Sequence, residues 1–341
     1  MQFGVIFGGV SYEHEISIVS AIALKDIIEA EFIFIDKERD FYLIDKSKLK
    51  SKLFSSGEYK KMPKLELKRG GFYQKGLLKE KRVEFDVAIN LVHGADGEDG
   101  KLASLFEFFD IPYIGPRIEG SVVSYNKLLT KLYLRHLGIN TLDFQLLHKE
   151  KIEPLKFDYP VIIKPCHLGS SIGVSVVRDE SELSYALDVA FEFDNEVIIE
   201  PFIEGIKEYN LAGCKAGNFY LSKIEEPVKG EFLDFEKKYL DFGRTEEVKE
   251  AELVPGIREQ MIESFKRLYG PLFCGAIIRV DFFVHRGQVY VNEINAVPGS
   301  LANYLFEDFL TPLQALARNL PKPRTIPIDY HYINSIQSAK K

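Results

Sequence analysis

Arg279-Val280-Asp281-Phe282-Phe283 is followed, beyond Arg286-Gly287, by Val289-Tyr290-Val291-Asn292-Glu293-Ile294-Asn295-Ala296-Val297-Pro298-Gly299. Alternation places Arg279 and Asp281 on one face of a strand, and the second run pairs back on it across a turn at Arg286-Gly287. Such a hairpin brings Asp281, Glu293 and Asn295 together beside one arginine. Oxygen donors without His or Cys suit Mg²⁺ or Mn²⁺ held partly by substrate phosphates. Two carboxylates alone would read as a salt-bridged strand face. An asparagine running into Pro-Gly at a strand end, next to Arg279, favours a metal site.

Three loops elsewhere end strands in the same manner. Lys164-Pro165-Cys166-His167-Leu168-Gly169-Ser170-Ser171-Ile172-Gly173 has the composition of a phosphate cradle, in which small side chains expose backbone N–H groups to an anion. It is neither a GxxxxGK[ST] loop nor a GxGxxG loop, and Gly-Ser-Ser alone fits a plain turn. His93-Gly94-Ala95-Asp96-Gly97-Glu98-Asp99-Gly100 follows the buried-type run Val87–Val92, at the strand end where α/β sheets keep ligands. Its spacing is wrong for an EF-hand. Gly8-Gly9-Val10-Ser11-Tyr12-Glu13-His14-Glu15 follows the first strand, and Glu13 there could hold an ammonium. Either loop alone is as well explained by acidic residues at a helix N-terminus.

The chain has 341 residues, 46% hydrophobic and 28% charged, with 44 basic against 51 acidic side chains and a net charge of −7. That length calls for two or three domains. The acidic balance argues against a nucleic-acid scaffold, no apolar run reaches membrane-span length, and the first residues read as a strand rather than a leader. Cys166, Cys214 and Cys274 are isolated from each other and from histidines, as in a reducing cytosol.

Along the chain, strands are expected at 3–7, 31–35, 41–44 and 87–92, with helices near 16–29 (Ile16, Val19, Ala23 and Ile27 at helical spacing) and at 102–109. Residues 45–82 read as charged and irregular, giving a small open α/β sheet up to about residue 115. A helix at 125–137 opens a second unit with strands at 161–164, 174–177 and 197–199 and a helix at 180–191. A third unit carries strands at 209–214, 219–225, 277–284 and 288–293. A charged stretch at 227–252 reads as a mobile loop, and residues 323–341 as a polar, frayed tail.

The order of the four motifs closely resembles that of the D-alanine–D-alanine ligases, ATP-grasp enzymes of peptidoglycan precursor synthesis, from Gly8 to about Tyr304. HGADGEDGKLAS at 93–104 is similar to the family's first signature, and RVDFF at 279–283 with NEINAVPG at 292–299 to its second. The resemblance implies α/β and α+β architecture in a three-domain ATP-grasp fold with an N-terminal open α/β sheet domain. Its domains would be 1–115, 116–205 and 206–322, with the tail at 323–341. It implies ATP and two Mg²⁺ (or Mn²⁺) as cofactors, D-alanine as substrate, a cytoplasmic location and a homodimer, with no nucleic-acid or membrane partner.

It also implies residue roles. Lys127 and Lys164 would contact nucleotide phosphates beside Ser170 and Ser171. Glu200, Phe202 and Ile203 would form the segment receiving adenine, and Glu208 would bind ribose. Asp281, Glu293 and Asn295 would hold the metals, while Arg279 and the Gly299 backbone would steady the tetrahedral intermediate. Glu13 would bind the first D-alanine's ammonium, flanked by His93, with Ser170 and Tyr239 completing a hydrogen-bonded set. Lys238 would reach the transferred phosphate. Tyr304 stands where the family usually has a serine near the second substrate's carboxylate. A D-alanyl–D-lactate or other D-amino-acid ligase is an alternative, as is a catalytically silent nucleotide-binding protein. Tyr239 favours the dipeptide, and retention of the metal and phosphate side chains argues against silence.

Overall fold

The computed structural model describes residues 1–76, 79–227, 248–322 and 325–338. Lys238, Tyr239 and most of the 227–252 stretch expected to form a mobile loop lie outside the described residues.

Phe3–Gly8 forms β1, buried along its whole length. It can be buried on both faces because parallel strands flank it: β2 (Ala30–Ile35) on one side, then β7 (Val87–Asn90) and β8 (Tyr113–Ile114) on the other. Beyond β2 the sheet continues antiparallel through β3 (Phe41–Ile44), β4 (Lys64–Lys68), β5 (Gly71–Gln74) and β6 (Lys81–Arg82), in the order β6-β5-β4-β3-β2-β1-β7-β8. The sheet is therefore larger than expected, and residues 45–82 are not merely irregular. Lys64-Leu65-Glu66-Leu67-Lys68 buries only Leu65 fully and turns charge outward, as strands near a sheet edge do.

Helix α1 spans His14–Leu24 rather than 16–29. The N–H groups of Ile27 and Ile28 both donate to the Leu24 carbonyl, which closes the helix early. Ile28 is thereby buried and Ile27 left outside. A short helix α2 (Ser51–Ser55) lies in the 45–82 stretch, and α3 (Lys101–Phe108) follows the second glycine loop. The helix expected at 125–137 is α5 (Lys127–His136), and an unexpected helix α4 (Ile118–Tyr125) precedes it. Asn126 between them is extended, and its side chain accepts from Leu129 N at 3.0 Å, capping α5.

A second, antiparallel sheet has the order β11-β10-β12-β9. It comprises β9 (Gln145–His148), β10 (Val161–Pro165), β11 (Ser175–Val177) and β12 (Glu196–Pro201). Helix α6 (Glu180–Phe191), capped by Asp179, covers it. Leu147, Ile163, Leu187, Phe191 and Ile199 belong to a core of its own.

The third sheet, β14-β13-β15-β16, uses β13 (Lys207–Ala216), β14 (Asn218–Glu225), β15 (Ile278–His285) and β16 (Gln288–Asn295). Helices α7 (Ile257–Tyr269) and α8 (Leu310–Arg318) complete this layer. Its core is continuous with that of the first sheet, since Phe7 and Phe34 belong to the same apolar cluster as Phe265 and Phe282. The tail is not wholly frayed, because His331–Ser338 forms an exposed helix α9. Among the described residues no helix is long and apolar enough to cross a membrane. The three cysteines are free.

Candidate active site

The chain leaves β1 for β2 on one side and returns as β7 on the other, so a crevice opens at the carboxyl ends of β1 and β7. Both N-terminal glycine loops lie there. Arg39 clamps Asp96 with two 3.0 Å bonds, and Val10 N donates to the same carboxylate at 3.0 Å, tying the loops together. Glu13 is buried beneath them and accepts from the Ser170 hydroxyl at 2.5 Å, across 157 residues of sequence. Two glycines make room for its carboxylate. A Cβ on Gly94 (φ +69°) would come within 2.8 Å of Oε2, and one on Gly169 within 2.9 Å of Oε1. Burial and the nearby charge of Glu98 raise Glu13 from its ordinary value, with Ser170, His93 and Lys127 opposing.

His93 lies beside Glu13, bonded through Nε2 to Ser20 Oγ at 3.0 Å. Burial pushes it down to about 4, so it is a neutral ring at neutral pH. Glu98 carries the opposite perturbation, since burial pushes it up to about 8 despite a hydrogen bond from the Gly94 backbone.

A second cluster lies between the second and third sheets. Lys127, at the start of α5, donates to the Leu168 carbonyl at 2.6 Å and stands 3.9 Å from Glu293. Lys164 on β10 donates to Glu200 Oε2 at 2.6 Å and to Asn292 Oδ1 at 3.3 Å. Burial opposes the Lys164 charge, but Glu200, Glu293 and Glu208 hold it above the usual value. The other Glu200 oxygen is bound by Lys131. Burial would raise Glu200, yet Lys164 and Lys131 together push it down to about 2. Phe202 and Ile203 follow β12 and line an open cleft of about 580 Å³ with Pro160, Arg178, Glu204, His285 and Arg286. Glu208 lies on β13 opposite Phe283.

The third cluster is the hairpin β15–β16. Arg279 grips Asp281 with bonds of 2.8 and 2.9 Å, and its third nitrogen donates to Tyr304 OH at 3.3 Å. Asn295 Nδ2 donates to Asp281 at 3.0 Å, and the register sets Glu293 directly opposite Asp281. A bulge follows, between Asp281 and Phe282. Among the described residues no three His, Cys, Asp or Glu side chains converge as a metal cage. The donor set here is two carboxylates and an amide. Past Pro298, Ser300, Leu301 and Ala302 take φ of 48°, 53° and 53°, a left-handed run of side-chain-bearing residues. Each costs on the order of 1–3 kcal/mol, a strain typical of functional loops. Ser300 N donates to Ser20 Oγ at 3.1 Å, joining this turn to His93 through one hydroxyl.

The model of the D-ala D-ala ligase N-terminus matches residues 2–116, and that of the D-ala D-ala ligase C-terminus matches residues 133–310. A D-alanine–D-alanine ligase of Nitratiruptor sp. is 69% identical over 342 residues, covering 100% of both chains. The chain belongs to the D-alanine–D-alanine ligase family. The Wolinella succinogenes ligase is 60% identical, over 100% of this chain and 99% of its own. The crystal structure of the Helicobacter pylori ligase aligns with a TM-score of 0.85 at 53% identity, over 95% of this chain and 100% of that one. The Coxiella burnetii ligase structure aligns with a TM-score of 0.74 at 26% identity, over 100% and 97%.

This member of the ligase family has the ATP-grasp fold expected from its sequence. The hairpin joins Arg279, Asp281, Asn295 and Glu293. Glu13 meets Ser170 with His93 alongside, and Lys164 meets Glu200. Lys238 and Tyr239 lie outside the described residues. Three partners went unread in the sequence. Glu98 looked like one acid among several in its loop. Ser20 occupies an ordinary helix position. Lys131 in Lys-Leu-Leu-Thr-Lys looks like a solvated helix lysine, and only its spacing of four from Lys127 sets both on one face.

Proposed function

We infer that the protein joins two D-alanines at the expense of ATP, supplying D-alanyl-D-alanine for peptidoglycan precursors in the cytoplasm. The observation that carries this reading is end-to-end identity of 69% with a ligase of that name. In the proposed reaction the γ-phosphoryl group passes to the carboxylate of the first D-alanine. The amine of the second attacks the acylphosphate carbonyl, the tetrahedral intermediate expels phosphate, and the amine gives up its proton.

Each residue role is part of this proposal. Glu13, oriented by Ser170, takes the first ammonium, and neutral His93 closes that side without repelling it. Lys127 and Lys164 neutralise phosphate, with Ser170 and Ser171 in the glycine loop offering backbone N–H groups. Glu200, Phe202 and Ile203 receive adenine, and Glu208 the ribose. Arg279 and the Gly299 N–H bear on the oxyanion of the tetrahedral intermediate. Tyr304 lies toward the second carboxylate. Lys238 reaches the phosphate, and Tyr239 joins Ser170 and Glu13.

Asp281, Glu293 and Asn295 fit two Mg²⁺ or Mn²⁺ ions by donor chemistry, being oxygen ligands on facing strands with no soft donor. Such ions, when bound, neutralise charge on the β- and γ-phosphates. A homodimer belongs to the same proposal, and light scattering at twice the chain mass would support it.

The deciding assay supplies ATP, Mg²⁺ and D-alanine, L-alanine or D-lactate, singly and in pairs, and measures ADP and product. ADP release that depends on D-alanine, with dipeptide as product, is expected. Absence of D-alanine-dependent ADP, or equal use of D-lactate as second substrate, would overturn it.

A further inference from the structure

Lys131 has no place in the chemistry above, yet it is the most enclosed cation near the phosphate lysines. Its side chain is 3% exposed, against 12% for Lys164. Its ammonium meets Glu200 Oε1, the Thr141 hydroxyl at 2.9 Å and the Leu142 carbonyl at 3.3 Å. Three acceptors for three N–H bonds leave it nothing to offer a ligand. The ring of Phe144, 5.7 Å away, closes the socket.

Glu200 is thus held from both sides, by Lys131 on one oxygen and Lys164 on the other. Two ammonium groups and one carboxylate sum to a single positive charge. Since Lys131 is sealed, that charge is presented at Lys164, which also donates to the neutral Asn292 amide and feels Glu293 and Glu208 at longer range. Were Lys131 uncharged, Glu200 and Lys164 would cancel, and a phosphate would meet a neutral pair tightened by low local dielectric.

We propose that Lys131 is a positioning residue for nucleotide phosphate: by neutralising Glu200 from its far side, it keeps the Lys164 ammonium available to a polyphosphate. The proposal rests on the reading of Lys164 as a phosphate ligand, and it assigns Lys131 a role distinct from filling space.

The test is calorimetric binding of ADP and of adenosine, with Mg²⁺, to the full chain and to Lys131→Met, Glu200→Gln and the double variant. Lys131→Met weakens ADP roughly 10- to 150-fold, the scale of one hydrogen-bonded charge. Adenosine, lacking phosphate, changes less than about threefold, within ordinary non-additivity. The double variant regains the wild-type ratio of ADP to adenosine affinity to within about threefold, a ratio that cancels any loss at adenine from replacing Glu200, because Lys164 is again free of its carboxylate. Unchanged ADP affinity in Lys131→Met, equal losses for ADP and adenosine, or losses in the double variant that multiply those of the singles would each overturn the proposal. If Lys131→Met does not fold, the double variant, which leaves no unpaired carboxylate between the two lysine positions, decides alone, and a fall in its ratio of ADP to adenosine affinity beyond about tenfold overturns it. Lys164→Met checks the underlying reading separately. If it leaves ADP affinity unchanged, Lys164 is not a phosphate ligand and both readings fall.

Discussion

Replacing Ser170 with alanine removes the hydroxyl that donates to Glu13 Oε1 at 2.5 Å. Glu13 is already raised by burial and by Glu98, and Ser170 is the strongest of the groups opposing that rise. A hydrogen bond to a charged group is worth about 1.5–3 kcal/mol, a factor of roughly 10–150 in the ratio of carboxylate to carboxylic acid. Only the carboxylate attracts a D-alanine ammonium. The acid limb of kcat/KM for D-alanine therefore moves toward alkaline pH, with a loss of up to roughly 10–150-fold below the limb that shrinks as pH rises. Ser170 also sits at φ 55°, where alanine is as strained as serine but glycine is not. Ser170→Gly should show the same displaced limb without the backbone strain. The assay is ADP release against D-alanine concentration from pH 6 to 9.5, for wild type and both variants. A loss of equal size at every pH, or different limbs in the two variants, would refute the reasoning.

Three other outcomes are expected. Glu293→Gln, which removes a carboxylate facing Asp281, should abolish turnover while thermal melting stays within a few degrees, and near-normal activity at ordinary Mg²⁺ would count against a metal role. His93 is held neutral with a folded value of about 4 against 6.5 unfolded, so its stability contribution is complete above pH 6.5 and lost as pH falls toward 4. Between pH 6.5 and 5 wild type should lose about 2 kcal/mol more than His93→Asn in urea unfolding, and equal losses would show that the ring is not held neutral. A Cβ at Gly97 would lie 1.8 Å from the Val92 carbonyl oxygen, so Gly97→Ala should lower unfolding stability by about 3 kcal/mol, and a change under about 0.5 kcal/mol would show that the loop relaxes freely.

Long patterned segments made much of this fold legible. Glu180–Phe191 announces itself by Asp179 at its start and helical spacing after it, and β15–β16 by alternation on both sides of Arg286-Gly287. The strands within 45–82 were not legible, because a strand buried on one side of a sheet's outer half needs only one or two apolar residues, here Leu65 and the Phe72 of β5. The extended Asn126 that splits two helices shows no breaker such as Gly or Pro, only a capping side chain. In the site, residues that carry chemistry in glycine-rich loops could be found. Those that act through a distant partner could not, since nothing near Lys131 in the chain signals that Glu200 will meet it.

The division of the apolar cores has a mechanical consequence. The first and third sheets share one cluster, so moving one against the other would expose buried phenylalanines, whereas the second sheet closes its core within residues 147–199. It can turn as a rigid block about the chain entering near residue 145 and leaving near residue 205, breaking few apolar contacts. Ser170 rides on that block and Glu13 on the fixed body. Their hydrogen bond is one of several polar ties across this seam, beside those from Lys127 to the Leu168 carbonyl, from Lys131 to Glu200 and from Lys164 to Asn292, so the block is a door held by a row of polar latches rather than by packing.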